Sequence, residues 1–255
     1  MSKVDMGEVA VIVGATGSVG SELVRRLAGR ELAVVAVGRG REALVALADE
    51  VGDLVEPCVA DIADDSAMDA IRAAVGDRPV RLALLCAGLP VRGSVVSIEP
   101  GLLAVGTDVK VGGTVRLFQA VRDRLGPGSR FAAIAGTLGI EPGASEAGPG
   151  AVNAALLNLM KQISHNSADR GFTVHSLVPG PMDTPRLRNI ATAIAEEEGV
   201  PFDEVWARYE GRTSLGRLPT VAQVAWAVEL LLDPEADILH GTVLHLDAGG
   251  LRGPT

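Results

Sequence analysis

Short apolar runs alternate with longer amphipathic segments along this chain, the pattern of βαβ units assembled on a parallel sheet. The spacing predicts seven strands, Val9–Val13, Ala33–Val37, Leu54–Val59, Leu82–Cys86, Phe131–Ala135, Thr173–Val178 and Val243–Leu246. After the first strand, Ser18–Leu27 sets Val19, Leu23, Val24 and Leu27 on one helical stripe. Asp65 or Ser66 is expected to cap a helix carrying Ile71, Ala74 and Val75. Thr220 with Gln223 makes a capping box before VAWAVELLLD, and Pro234 marks that helix's exit. The expected architecture is α/β: a doubly wound sheet of seven mainly parallel strands with helices on both faces.

Two stretches break the rhythm. Residues Glu141–Gly150, EPGASEAGPG, hold too much glycine and proline for a regular element and are expected to form a loop. Residues from Pro181 to about Pro219 are polar and partly helical. Both follow strands at the sheet's carboxyl edge, where open parallel sheets bind ligands, so they are the expected walls and lid of a site.

At 255 residues with 47% hydrophobic and 22% charged, the chain is expected to make one domain over 1–255 around a single core. A net charge of -9 with no basic run disfavours nucleic acid. No apolar stretch approaches the roughly 20 residues of a membrane span. The sequence reads as soluble and cytoplasmic, with a small-molecule ligand rather than nucleic acid or membrane as partner. Cys58 and Cys86 fit small buried hydrophobes, and His165, His175, His240 and His245 lack metal-ligand spacing, so no metal is expected.

The most specific chemistry lies in Gly14-Ala15-Thr16-Gly17-Ser18-Val19-Gly20, between the first strand and a helix. Glycine there permits a tight turn and close approach to a pyrophosphate, while the helix N-terminus offers N–H groups and a positive dipole end. This makes the fold Rossmann-type and Gly14, Thr16, Gly17, Ser18, Val19 and Gly20 candidate cofactor-binding residues. At the end of the second strand stands Gly38-Arg39-Gly40-Arg41 rather than an acidic residue. Arg39 there suits a 2′-phosphate, which favours NADP(H) over NAD(H). Asp61-Ile62, after the third strand, is placed to meet the adenine edge.

With these residues the chain resembles the short-chain dehydrogenase/reductase family nearly end to end. Further supports are Cys86-Ala87-Gly88 after strand four, Pro179-Gly180-Pro181 with Thr184 after strand six, and Asp247-Ala248-Gly249-Gly250 near the terminus. The resemblance implies that Ala87, Gly88, Pro179, Gly180 and Thr184 also line the cofactor. Two departures stand out: glycines spaced GxxGxxG, and Leu85-Cys86-Ala87-Gly88 where the family has Asn-Asn-Ala-Gly.

The family's chemistry uses a Tyr-x-x-x-Lys pair, a serine about thirteen residues earlier and an asparagine on the preceding helix, the tyrosine acting as general acid/base. Aligning Asn153-Ala154-Ala155-Leu156 with the usual Lys-Ala-Ala-Leu puts Pro149 at the tyrosine position and Asn153 at the lysine position. Gly136 falls at the serine position and Lys110 at the asparagine position; a longer tyrosine spacing lands on Glu146. Lys110 is read either as pointing into the cavity, where it would hold an oxyanion or the cofactor ribose, or as pointing to solvent. Glu141 and Glu146 are the candidate replacement proton donors, with Ser145, Asp183 and Tyr209 behind them.

The expectation drawn from this loss is weak or absent ordinary carbonyl reductase activity. The favoured role is a redox-neutral step, cyclisation, dehydration or isomerisation, with NADP(H) kept as a scaffold or lost. The alternatives are an NADP-dependent oxidoreductase with non-standard donors, built on Lys110 and a carboxylate or water, and a non-catalytic cofactor sensor or scaffold. Helices near Gly112–Leu125 and Ala151–Ile163 are apolar enough to pack against copies of the chain, and the resemblance implies a homodimer or homotetramer.

Overall fold

The computed structural model describes residues 7–88 and 93–253. Seven parallel strands run in the order β3-β2-β1-β4-β5-β6-β7. They are β1 (Val9–Val13), β2 (Ala33–Gly38), β3 (Val55–Val59), β4 (Val80–Leu85), β5 (Arg130–Ile134), β6 (Thr173–Pro179) and β7 (Val243–Leu246). Every neighbouring pair is parallel, with Val11 beside Val35 on one side and Ala83 on the other. The order reverses between β1 and β4, and this switch point opens the crevice that positions the site.

Alternation along the strands explains why they read as unbroken apolar runs. In β1, Val9, Val11 and Val13 enter one core while Ala10 and Ile12 enter the other. The first core is closed by α3 (Ser66–Val75), α5 (Gly113–Val121) and α6 (Ala147–His165), through Ile71, Val75, Leu117, Leu156 and Met160. The second is closed by α1 (Ser18–Gly29), α2 (Arg41–Val51) and α9 (Val221–Leu230), through Leu23, Leu27, Leu44, Val224 and Val228. A strand buried on both faces has no polar side to alternate with.

The capping box forms as expected: Gln223 N–H donates to Thr220 Oγ1 at 3.1 Å, and Thr220 N–H to Gln223 Oε1 at 2.9 Å. At the start of α3, Asp65 holds the N-cap position as expected, but its side chain makes no cap hydrogen bond. Asp64 accepts from Ser66 N–H at 2.8 Å, while Asp65 pairs with Arg116 at 2.7 Å. The stretch 141–150 is also shorter as a loop than expected, because α6 begins at Ala147 and takes in Gly148, Pro149 and Gly150. Proline is tolerated there because first-turn N–H groups have no intrahelical acceptor.

A shorter helix, α4 (Pro100–Thr107), leads into a π-helical turn at Asp108–Gly112 and then α5. Between β6 and α9 lie α7 (Pro185–Glu198) and α8 (Phe202–Glu210). They share a small separate core in which Ala191, Ala195 and Val205 are buried and Trp206 and Tyr209 pack alongside.

Candidate active site

At the end of β1 the chain turns through Gly14 in the left-handed region, φ +87°. A Cβ at Gly14 would stand 2.9 Å from Ala87 N, and one at Gly20 would stand 2.1 Å from Gly14 O. Only glycine lets the turn, the start of α1 and the end of β4 approach so closely. The α1 N-cap is Gly17, with no side chain bonded to the cap and no acid in the first turn. Thr16, Gly17 and Ser18 are exposed, whereas Val19 is buried in the core. An uncapped helix start with its glycines stripped of side chains fits the diphosphate of a dinucleotide.

Arg39, directly after β2, is exposed, with Nη1 4.0 Å from Asp61 Oδ2. An exposed pair at this distance binds weakly and leaves the guanidinium available to a phosphate. Asp61 also accepts from Ala63 N–H at 3.1 Å. Ile62 is buried against Gly113, and its carbonyl accepts from Arg116 at 3.2 Å.

Across the switch point, Cys86 Sγ donates to Val13 O at 3.0 Å. Burial pushes this thiol up to about 12. Ala87 is half-buried and Gly88 exposed, and a Cβ on Gly88 would come within 3.1 Å of Arg186 Nη1. Pro179 closes β6, and Gly180 lies so near Asp247 that a Cβ would be 3.2 Å from its Cα. Thr184 caps α7, accepting from Leu187 N–H at 3.2 Å.

The structure decides the direction of Lys110. Its side chain is 5% exposed, and the ammonium donates to Ile134 O at 2.6 Å and to Asn153 Oδ1 at 3.3 Å. Lys110 sits in the π-helical turn, where one extra residue rotates the helical register by about 100° relative to an unbroken α-helix. Burial is the main force lowering its pKa to about 8; the neighbouring Cys86 acts upward and Arg186 downward. No carboxylate of the described residues acts on it.

Gly136 stands where a Cβ would meet Asn153 Nδ2 at 3.0 Å, and Pro149 is half-buried in the first turn of α6. Neither of the two carboxylates suggested as partners of Lys110 is bonded to it. Glu141 accepts from Arg252 N–H at 3.1 Å, while Glu146 holds the N-cap position of α6 without a side-chain cap bond, its carboxylate lying beside Gly143. Asp183 pairs with Arg188 through both oxygens at 2.7 Å, and Tyr209 lies 6.4 Å from the Trp206 ring. Ser145 is exposed. His175 is buried in β6 and held down to about 4 by desolvation, and no metal-binding group is found among the described residues.

The sequence reading missed Arg186. Its signal was an arginine in the first turn of a helix, where the dipole disfavours a cation. The contribution of Ile134 was invisible, since a backbone carbonyl leaves no mark on residue type.

A family model described as enoyl-(acyl carrier protein) reductase matches residues 14–250, and the chain belongs to the short-chain dehydrogenase/reductase family. It is 26% identical over 96% of its length to the short-chain reductase protein NovJ of Streptomyces niveus, covering 95% of that protein. It is 23% identical over 95% of its length to 3-oxoacyl-(acyl-carrier-protein) reductase FabG of Escherichia coli, covering 97% of it. Among solved structures, a variant of actinorhodin polyketide ketoreductase with NADPH superposes at a TM-score of 0.88 and 26% identity, with 97% of this chain and 98% of that one covered. These relatives correct the function expected from the sequence: they are named as reductases, which overturns both the redox-neutral role and the non-catalytic one. No helix of the described residues is long and apolar enough to cross a membrane.

Proposed function

We propose that this chain is an NADP(H)-dependent oxidoreductase that reduces the carbonyl group of a small molecule. Its relatives support the reaction class, and one observation in the chain itself carries the chemistry: a buried ammonium, Lys110, held by Ile134 O and Asn153 beside Cys86. Where the family resemblance places asparagine, serine, tyrosine and lysine, this chain has Lys110, Gly136, Pro149 and Asn153. We read that change as a change of proton source.

In this reading Gly14, Thr16, Gly17, Ser18, Val19 and Gly20 form the diphosphate cradle and Arg39 takes the 2′-phosphate. Asp61 and Ile62 stand at the adenine, and Ala87, Gly88, Pro179, Gly180 and Thr184 border the nicotinamide end. When bound, NADPH supplies a hydride to the carbonyl carbon. Lys110 donates a proton to the carbonyl oxygen as the C=O bond becomes a C–O single bond, and recovers it from solvent. Asn153 Oδ1 and Ile134 O hold the ammonium in place. Residues from Pro181 to about Pro219 act as the lid, with α7 and α8 moving as one body around their shared apolar contacts.

The test is direct: reduced-nicotinamide absorbance should fall on adding carbonyl compounds, in step with alcohol formed. A panel of ketones, diketones and oxo acids that elicits no oxidation overturns the reading. We also read the chain as a homodimer or homotetramer through α5 and α6, where Ala151, Ala154 and Ala155 are exposed; sedimentation velocity checks it.

A further inference from the structure

We propose that Asn153 is a second catalytic residue, its side-chain Nδ2 donating a hydrogen bond to the same carbonyl oxygen that Lys110 protonates. The inference deepens the reductase reading and rests on it.

The amide has one orientation open to it. An ammonium donates and never accepts, so the end of Asn153 that meets Lys110 Nζ at 3.3 Å is the oxygen. Nδ2 is thereby turned toward Gly136, just beyond β5, and stands 3.0 Å from the place a Cβ would take there. A side chain at 136 and this amide compete for the same room, and glycine cedes it.

In that position Nδ2 carries two protons and no acceptor. Among the described residues, the one hydrogen bond of the Asn153 side chain is the one its oxygen receives from Lys110. Interior donors are rarely left idle, and Asn153 is only 5% exposed. Yet the only side-chain polar atom of the described residues that is both sealed from solvent and unbonded is His175 Nδ1. Nδ2 is unbonded but not sealed, so water reaches it, and the oxygen of a ligand can take that water's place.

Two features select the carbonyl oxygen as the acceptor. The first is reach. Hydrogen bonds of about 2.9 Å from two nitrogens to one shared oxygen span up to about 6 Å. Nζ and Nδ2 are separated by a single 3.3 Å contact and the width of one amide group, which falls inside that span. The second is charge. The ammonium polarises the amide through Oδ1 and sharpens Nδ2 as a donor, while arrival of the hydride builds negative charge on the oxygen it faces. A contact that strengthens along the reaction lowers the barrier and leaves ground-state binding little changed. Asn153 keeps both protons throughout; the proton transferred is that of Lys110.

The experiment uses the carbonyl compound that the unaltered protein reduces fastest. Asn153→Ala is expected to lower kcat by at least about a hundredfold, the worth of one donor to a developing oxyanion, with NADPH affinity unchanged. Adding Gly136→Ser to that variant sets a hydroxyl where Nδ2 stood, without restoring the acceptor for Lys110. It should regain about tenfold or more in kcat. An undiminished kcat in Asn153→Ala, or no regain on adding Gly136→Ser, overturns the inference. So does an Asn153→Ala variant whose main loss is NADPH affinity, because it assigns the amide to the cofactor.

A structural arm on the unaltered protein separates this inference from the reductase reading. Isobutyramide offers a carbonyl oxygen that a nicotinamide does not reduce. A crystal structure with NADPH and isobutyramide should place that oxygen within about 3.2 Å of Asn153 Nδ2. An oxygen elsewhere, or no bound isobutyramide, overturns the inference. If the oxygen lies on Nδ2 while no carbonyl compound is turned over, the oxygen site stands and the reductase reading falls. If carbonyl compounds are reduced and Asn153→Ala keeps its kcat, the reductase reading stands and the role of Asn153 falls.

Discussion

Lys110 and Asn153, 43 positions apart in the chain, meet in the interior at 3.3 Å, the ammonium donating to the amide oxygen. Each is 5% exposed. The pair carries a net positive charge, since an amide can orient an ammonium without neutralising it. In the proposed mechanism that asymmetry makes Lys110 the residue whose removal is most informative.

Lys110→Met is expected to lower kcat for carbonyl reduction by at least about a hundredfold, the usual worth of a positioned proton donor. Folding stability should hold or rise, because an apolar side chain of similar length replaces an uncompensated buried charge. Steady-state rates and denaturant unfolding check the two halves. A stable variant with undiminished kcat removes Lys110 from the mechanism.

The lowered pKa of Lys110, about 8, gives two pH dependences. Activity that needs the ammonium falls as pH rises through about 8. Stability moves the other way. Between about 8 and the model-compound 10.5 the unfolded chain binds the proton that the folded one has released, so folding gains stability with rising pH in that window. The penalty removed amounts to about 3 kcal/mol in full, and it should vanish from the wild-type minus Lys110→Met difference in unfolding free energy.

Gly20→Ala should damage the nucleotide cradle, because the added methyl has only 2.1 Å to the Gly14 carbonyl oxygen and neither backbone can yield cheaply. NADPH affinity is expected to fall by about tenfold or more, with a loss of roughly 1–3 kcal/mol in stability. Fluorescence titration and thermal melting report each. Arg39→Ala, on the exposed rim, should leave the melt unchanged and shrink the preference for NADPH over NADH by about tenfold.

Far from the site, Arg130 is 1% exposed, donates to the carbonyls of Leu231 and Asp233 just beyond α9, and pairs with Asp237 at 2.7 Å. Arg130→Met strips the carbonyls of Leu231 and Asp233 of their donor and should cost about 3 kcal/mol, lowering Tm while leaving KM for NADPH unchanged. An unaltered melting curve would show that α9 does not depend on this anchor.

The strand pattern, the α1 stripe and the Thr220–Gln223 box were legible because each is a local rule: period two, period 3.6, and a cap three residues from its partner. The glycine turn was legible for the same reason. The start of α6 was not, since Gly148 and Gly150 oppose a helix by propensity, and the turn that takes them in is held from outside the segment, with Ala147 N–H donating to Gly93 O. Glu141 and Glu146 were expected beside Lys110 because they lie on the stretch that replaces the family's tyrosine-bearing entrance. In the fold Glu141 accepts from the backbone of Arg252, and Glu146 stands at the N-terminus of α6 with its carboxylate beside Gly143.

The sequence by itself determined a parallel α/β sheet and a turn shaped for a diphosphate, because both are written in residue size and periodicity over a few positions. Only the tertiary structure decided that Lys110 points inward, that Asn153 and the Ile134 carbonyl receive it, and that Arg186 stands over Gly88. Those contacts join residues from separate elements, and their geometry depends on how a π-helical turn is rotated against a strand end, which no local pattern encodes.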